Sequence, residues 1–217
     1  MNSLIHTAIN KALSLIFPNR CIGCGDNRQI LCRTCILRAK KQAREKKSVL
    51  FLYKLYYWGI YENKTLRSAL RKFKYHGTYG LADPFSDMLT ELVKPDLHIF
   101  KENSLVIPIP AHEKRKSERG YNQAELLAVK FCEKIGLPLD ASILKKTKNT
   151  PSQTSLSGIE RIFNVRNSFS VSNTDAIKNK KIILVDDIIT TGATFSEAAR
   201  VLKEAGALEC VGLVVAK

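Results

Sequence analysis

The chain has 217 residues and carries 35 lysines and arginines against 20 aspartates and glutamates, a formal net charge of +15. With 45% hydrophobic and 25% charged residues, the composition is globular and excludes both a disordered and a membrane-embedded chain. The charge is uneven: residues 1–50 hold ten basic and two acidic side chains (+8), against +2 for residues 51–103 and +5 for residues 104–217. An anionic partner is therefore a candidate, above all for the first fifty residues.

The chain begins with a predicted short helix over residues 2–17. Apolar residues recur there at three- and four-residue spacing, and Pro18 ends the pattern. The longest apolar run is far below the ~20 residues of a membrane-spanning helix, and no small-residue cleavage site follows it. We therefore expect a cytoplasmic protein that does not insert into a membrane.

Four of the six cysteines form two close pairs, Cys21-x2-Cys24 and Cys32-x2-Cys35. In a reducing compartment such pairs favour a metal over disulfides, and two pairs can close a tetrahedral thiolate site around Zn²⁺. An iron–sulfur cluster or a redox role is the alternative. We expect a structural zinc, because four thiolates leave the ion no open position for chemistry.

A basic stretch over residues 38–47 follows the cysteines, and residues 49–61 are aromatic and β-prone. The aromatic run predicts a strand or hairpin with Gly59 at its bend. Aromatic rings beside a cationic track suggest a surface that stacks the bases of single-stranded nucleic acid, whereas the alternative is that most of these rings pack in the core. Two helices are predicted next, over residues 66–75 and 79–93.

From residue 104 onward, strands alternate with helices. Strands are predicted over residues 105–109, from 142, over 181–185 and over 210–215, and helices over residues 123–135 and 195–205. A basic polar loop is predicted over residues 112–122. The alternation predicts a doubly wound α/β domain over residues 104–217, preceded by a cysteine module with its basic stretch (1–48) and a linking region (49–103).

The most informative segment is the strand at 181–185 with the turn behind it. The strand delivers Asp186 and Asp187 at its carboxyl end, where open α/β sheets bind their ligands. The turn precedes a helix, whose unpaired N–H groups make a phosphate cradle. Two acids beside such a cradle suit a sugar phosphate, whose hydroxyls would donate to the carboxylates. Helix capping by one of the acids is the alternative.

Residues 182–194 closely resemble the phosphoribosyl pyrophosphate loop of type I phosphoribosyltransferases: two hydrophobic residues, two acids, two hydrophobic residues and Thr-Thr-Gly-Ala-Thr. The resemblance implies that Asp186 and Asp187 hold the ribose 2′ and 3′ hydroxyls and, in an active transferase, serve catalysis by stabilising a cation-like transition state. It implies that the 5′-phosphate is bound by the turn formed by Thr190, Thr191, Gly192, Ala193 and Thr194. It also implies that Mg²⁺ binds together with the pyrophosphate group.

The first strand of this domain fits the same resemblance. Its end, Pro108-Ile-Pro110-Ala111-His112, resembles the loop that cradles pyrophosphate in that family. Arg115, Arg119 and Lys146 are the candidate cations for the pyrophosphate, although a solvated basic loop is the alternative. Residues 150–156 fall where the family keeps a mobile hood, and we expect a lid there.

Together these motifs resemble the ComF competence family, over nearly all of residues 18–217. The shared motifs, in order, are the four-cysteine knuckle, Phe73-Lys-Tyr75-His-Gly77, Pro108-Ile-Pro110, Arg119-Gly-Tyr-Asn-Gln123 and the phosphoribosyl pyrophosphate loop. The resemblance implies a type I phosphoribosyltransferase-like doubly wound sheet with a small N-terminal zinc-finger module. It also implies a cytoplasmic protein of natural transformation that handles incoming single-stranded DNA together with the DNA-uptake machinery.

Three functions are consistent with these motifs. The first is a DNA-uptake protein that binds phosphoribosyl pyrophosphate with Mg²⁺ and single-stranded DNA. The second is an active phosphoribosyltransferase with an unidentified acceptor. The third is a regulator that senses phosphoribosyl pyrophosphate without catalysis. The motifs indicate the class of ligand in each case, and they leave the acceptor open.

Overall fold

The computed structural model describes residues 20–41, 43–46, 49–148 and 165–217. The predicted helix over residues 2–17 and the predicted lid over residues 150–156 lie outside the described residues. Among the helices of the described ranges, none combines the length and the apolar character that crossing a membrane requires.

A mixed sheet organises the described part of the chain. Its strands are β1 (Ala43–Lys46), β2 (Lys54–Gly59), β3 (Ser104–Pro108), β6 (Lys181–Ile188) and β7 (Glu209–Ala216). They are arranged in the order β1-β2-β7-β6-β3, with β2, β7, β6 and β3 parallel and β1 antiparallel at the edge. Two further strands, β4 (Leu144–Lys146) and β5 (Phe169–Val171), form a separate antiparallel ribbon.

The helices of the described residues cover both faces of this sheet. They are α1 (Arg33–Arg38), α2 (Lys64–Tyr75), α3 (Ala82–Val93), α4 (Leu97–Lys101), α5 (Glu113–Arg119), α6 (Gln123–Ile135) and α7 (Ala193–Glu204). Short 3₁₀ turns, Tyr79–Leu81 and Lys94–Asp96, precede α3 and α4.

Strand β6 shows why the chain folds with two cores. Ile183 and Val185 pack in a cluster with α2, α3 and α6, whereas Ile182 and Leu184 pack on the other face with α7. All four side chains are fully buried, as expected of a central parallel strand whose alternate residues point to opposite faces. The doubly wound α/β architecture predicted from the sequence is confirmed.

The predicted loop over residues 112–122 is wrong, because Glu113–Arg119 forms helix α5. The backbone N–H of Lys114 donates to Nδ1 of His112 at 3.2 Å, which caps the helix start. Gly120, with φ at 79°, ends the helix in the left-handed region. This helix has no apolar periodicity, so the sequence pattern gives no sign of it.

The aromatic segment also differs from its prediction. Gly59 is the last residue of β2 rather than a bend, and a Cβ there would lie 2.7 Å from the Ala39 carbonyl oxygen. Tyr56 and Trp58 are buried, which confirms the core alternative for these two rings, while Phe51 and Tyr53 stay substantially exposed. The hairpin in this region pairs β1 with β2.

The structure joins parts of all three predicted segments in one sheet. Strand β1 comes from residues 1–48, β2 from residues 49–103, and β3, β6 and β7 from residues 104–217. The three-part division of the chain stays a prediction.

Candidate sugar-phosphate site and cysteine cluster

The carboxyl ends of β6 and β3 bring the first candidate residues together. Asp186 and Asp187 lie within β6, which continues to Ile188, so the strand itself fixes their backbone. Pro108 is in register with Val185, and the N–H of Ile109 donates to the Val185 carbonyl at 2.9 Å. The chain after β3 therefore runs beside the two acids.

The turn after β6 leads directly into α7. Gly192, the N-cap of α7, has φ at 79°, and a Cβ there would lie 3.0 Å from both methyl groups of Val49. The N-cap Gly192 has no side chain to cap α7, and Oγ1 of Thr191 instead accepts the N–H of Ala193 at 3.4 Å; among the described residues neither acid caps the helix. Thr190 and Thr191 are exposed beside the first turn of α7, whose N–H groups have no partner within the helix.

Lys74 of α2 completes the cluster, and this contact was missed by the sequence analysis. Its Nζ lies 3.2 Å from Oδ1 of Asp187, a residue only 2% exposed. The other carboxylate oxygen, Oδ2, is buried and has no hydrogen-bond partner among the described residues. An acceptor that lacks a partner in the interior is costly, and a ligand hydroxyl or cation would satisfy it.

The two carboxylates influence each other electrostatically. Oδ1 of Asp186 accepts the backbone N–H of Asp187 at 2.8 Å. Burial raises the pKa of Asp186 to about 8, the Asp187 carboxylate adds to the rise, and the Lys74 ammonium opposes it. Near neutral pH the pair of carboxyl groups therefore holds a proton, and a bound cation would compete with this proton for the carboxylate oxygens.

A second sequence motif holds Lys74 in place. The hydroxyl of Tyr121 donates to the Phe73 carbonyl, and Nε2 of Gln123 donates to the Lys74 carbonyl at 3.3 Å. Both carbonyls belong to the last turn of α2, where no intrahelical donor remains. The Phe73–Gly77 and Arg119–Gln123 motifs, far apart in sequence, thus form one junction next to Asp187.

The remaining predicted residues lie in different surroundings. Pro110, Ala111 and His112 are half-buried between β3 and α5. Arg115 and Arg119 belong to α5, but their side chains are outside the described part of the structure. Lys146 lies in the separate ribbon, with its Nζ 5.6 Å from the centre of the Phe169 ring. Roles in pyrophosphate binding stay predictions for all six residues.

The four paired cysteines converge as predicted. The Sγ atoms of Cys21, Cys24, Cys32 and Cys35 all lie within 4.8 Å of one another. The Cys24–Cys32 separation is 3.7 Å, close to the roughly 3.8 Å edge of a tetrahedron with Zn–S bonds of about 2.3 Å. The backbone N–H of Cys32 donates to Sγ of Cys21 at 3.3 Å, which favours a thiolate. The donor set therefore fits a structural zinc.

Comparison with known proteins finds one matching domain family and several similar competence proteins. The phosphoribosyl transferase domain family matches residues 118–216. Competence protein F of Haemophilus influenzae is 28% identical over 192 residues, which cover 87% of this chain and 80% of that protein. Competence protein ComFC of Bacillus subtilis is 34% identical over 152 residues, 66% of this chain and 56% of that protein. The chain is therefore similar to competence proteins F and ComFC over much of its length.

The matched regions include the elements that build the candidate site. Residues 118–216 contain β6, the paired acids, the turn and α7, so this part of the chain has the type I phosphoribosyltransferase fold. The DNA utilization protein YhgH of Escherichia coli O157:H7 is 30% identical over 102 residues, 47% of this chain and 44% of that protein.

Proposed function

We propose that this chain is a ComF-family protein that serves in DNA uptake in the cytoplasm. In this role it binds phosphoribosyl pyrophosphate with Mg²⁺ at the end of β6, and single-stranded DNA on its basic surface. One observation carries the ligand assignment: a buried carboxylate oxygen of Asp187 has no hydrogen-bond partner among the described residues, on the strand that leads into the N-terminus of α7. The role in DNA uptake is supported by similarity to two competence proteins and a DNA utilization protein.

The chemistry of the cluster suits a phosphorylated ribose. Hydroxyl groups are donors, so the ribose 2′ and 3′ hydroxyls would satisfy Oδ2 of Asp187 and the Asp186 carboxyl. The 5′-phosphate accepts only, and would take the N–H groups of the turn at Thr190–Thr194. Mg²⁺ prefers oxygen ligands and phosphates, and the two carboxylates fit its donor preference. When bound, the ion neutralises charge on the pyrophosphate.

A transformation assay tests the link between this site and DNA uptake. The chain replaces the ComF protein of a naturally transformable host, either as wild type, as the Asp186→Asn/Asp187→Asn double variant, or as an Asp175→Asn control at an exposed position. We expect the double variant to lose transformation while wild type and control retain it, with equal protein levels on immunoblots. Full transformation by the double variant would separate the site from DNA uptake.

Binding of single-stranded DNA is tested by its salt dependence. A protein that neutralises phosphates releases counterions, so affinity falls steeply as salt rises, with a log–log slope of roughly −0.7 per phosphate contacted. The net charge of +15 leads us to expect this behaviour for an oligothymidylate. Affinity that stays constant between low and moderate salt would contradict an electrostatic binding surface.

A further inference from the structure

Helix α2 exposes a row of basic side chains along its length. The helix contains five cations and no acid, while its opposite face buries Leu66, Ala69, Leu70 and Phe73. The exposed cations follow the length of the helix: Lys64, Arg67, Arg71 and Lys72. In helix α5, the side chains of Lys114 and Lys116 are exposed as well. A surface of this kind attracts a polyanion.

Two tyrosine rings lie where the basic face ends. Tyr75, the last residue of α2, is 61% exposed, and Tyr79 in the following turn is 54% exposed. Exposed aromatic rings beside cations offer flat faces on which nucleic-acid bases can stack. Both rings belong to the segment that starts at Lys74, whose ammonium contacts Asp187. Tyr75 directly follows Lys74 in sequence, and the Tyr79 ring contacts Tyr121, whose hydroxyl donates to the Phe73 carbonyl at the same end of α2.

Contacts within the protein hold the Tyr79 ring in place. Its centre lies 4.5 Å from that of Tyr121, and Tyr121 is itself held by the hydroxyl that donates to Phe73. Two glycines with positive φ, Gly77 and Gly120, also lie beside this side chain, since a Cβ at either position would be 3.8 Å from a Tyr79 atom. A ring supported in this way loses little freedom when a planar group stacks on it.

We propose that Tyr75 and Tyr79 form a stacking platform for the bases of a single nucleic-acid strand, whose phosphates follow the exposed cations of α2 and α5. Base faces are available in a single strand but not in a duplex, where they are already stacked. This inference rests on the proposed function, because it assigns the surface that binds the DNA. The strand would pass the opening of the sugar-phosphate site.

The test compares variants that remove the rings with variants that keep them. Binding of a labelled oligothymidylate is measured by fluorescence anisotropy for wild type, Tyr75→Ala/Tyr79→Ala and Tyr75→Phe/Tyr79→Phe. We expect the alanine variant to bind about tenfold more weakly and the phenylalanine variant to match wild type, because stacking needs the ring and not the hydroxyl. Tyr75→Leu, at the more exposed position, keeps an apolar side chain without a ring and should also weaken binding.

A strand of the same length without bases separates stacking from charge. Wild type should bind this abasic strand as weakly as the alanine variant binds oligothymidylate, with an unchanged salt slope. The Arg71→Gln/Lys72→Gln variant should instead reduce the salt slope, since it removes phosphate contacts. Calorimetry with phosphoribosyl pyrophosphate and Mg²⁺ on the same variants checks that the neighbouring site is intact.

Each contrary result has a distinct meaning. If wild type binds oligothymidylate and the alanine variant binds it equally well, the platform is wrong while the proposed DNA-binding function stands. If wild type binds the abasic strand as tightly as oligothymidylate, the platform is likewise overturned. If wild type binds no single strand at all, both the platform and the DNA part of the proposed function are wrong.

Discussion

At the scale of single residues, Asp187 has the most demanding environment in the site. Its side chain is almost fully buried, one oxygen contacts Lys74 and the other has no described partner. A buried charge is tolerated only when a counter-charge and hydrogen bonds offset its loss of hydration. Lys74 supplies the counter-charge, and the oxygen left over marks the position where a ligand would complete the site.

Removing the ammonium should destabilise the fold. In Lys74→Met, Asp187 keeps its burial but loses its ion pair, and we expect the free energy of unfolding to fall by about 2 kcal/mol, less than for a fully buried pair because Lys74 is partly exposed. Urea unfolding at neutral pH measures the change. The control is Lys72→Met, an exposed position on the same helix. Equal stabilities of the two variants would show that the pair contributes nothing.

The raised pKa of Asp186 predicts a pH dependence of stability. Because the folded-state pKa of about 8 lies above the unfolded value of about 3.9, the native state binds the proton more tightly. The stabilising contribution is complete below about pH 4 and is lost as the pH rises through 8. Between about pH 5.5 and 8.5, wild type should therefore lose at least about 1 kcal/mol more stability than Asp186→Asn.

The measurement is urea unfolding of both proteins across this range. The control Asp175→Asn, at an exposed position, should follow wild type at every pH. Parallel curves for wild type and Asp186→Asn would contradict a protonated Asp186 in the folded protein.

Whether a residue of the candidate site can be predicted from the sequence depends on the sequence separation between the residue and its contacts. Asp186, Asp187 and the turn are consecutive, so one strand and one helix start explain their positions, and the sequence alone predicts them. Lys74 contacts Asp187 across 113 positions. That contact depends on how α2 packs on the sheet, which no local pattern specifies.

At the scale of elements, the junction of α2 with α6 orients the site. Tyr121 and Gln123, next to the start of α6, donate to the last carbonyls of α2 and so hold Lys74 above β6. Phe73 anchors the same turn, with its ring 5.4 Å from that of Phe85 in α3. The site is therefore built on packed helices and a strand rather than on a free loop.

Loss of the Tyr121 hydroxyl should loosen this junction. We expect Tyr121→Phe to lower the free energy of unfolding by about 1 kcal/mol, because the buried Phe73 carbonyl loses its donor. Chemical denaturation of the variant gives the value. Tyr79→Phe serves as the control, since that exposed ring should tolerate loss of its hydroxyl. A Tyr121→Phe variant as stable as the control would show that the bond is unimportant.

The cysteine cluster predicts a metal content. We expect about one zinc per chain in wild type and close to none in Cys24→Ser, because a serine hydroxyl replaces one of four thiolates. Elemental analysis of protein purified without added metal measures both. Cys132→Ala, which changes a buried cysteine of α6 outside the cluster, should retain the zinc. Equal zinc in Cys24→Ser and wild type would exclude this site.

Elements with a clear apolar rhythm were predictable, and polar ones were not. Strand β6 and helix α6 have uninterrupted or periodic apolar residues, and both appear where the pattern indicated. Helix α5 and the edge strand β1 are mostly charged, and their formation depends on a histidine cap and on pairing with β2. Charged residues suit an exposed sheet edge, but many other segments share that composition.

At the scale of the whole molecule, the N-terminal half is built into the site rather than attached beside it. Strand β2 pairs with β7, the segment before it packs Val49 against Gly192, and the Ser196 hydroxyl donates to the Leu50 carbonyl at 3.0 Å. Part of the linking region predicted over residues 49–103 therefore lies in the same sheet as the candidate site. The order in which distant strands pair depends on tertiary packing, which no local sequence pattern specifies.

The structure also changes the meaning of the charge distribution. In the basic stretch 38–47, Lys40 pairs with Glu91 at 2.6 Å and lies over the Trp58 ring, and residues 43–46 form strand β1. Part of this stretch therefore has a structural role. The basic face of α2, next to the site, is the better-placed surface for a polyanion.

The central claim is that Asp186, Asp187 and the turn at Thr190–Thr194 bind a ribose phosphate. Titration calorimetry of phosphoribosyl pyrophosphate with Mg²⁺ into the intact chain tests it most directly, alongside the Asp186→Asn/Asp187→Asn double variant and the Asp175→Asn control. We expect saturable binding to wild type and control, and loss of binding in a double variant that still unfolds cooperatively. Unchanged binding to the double variant would contradict the claim.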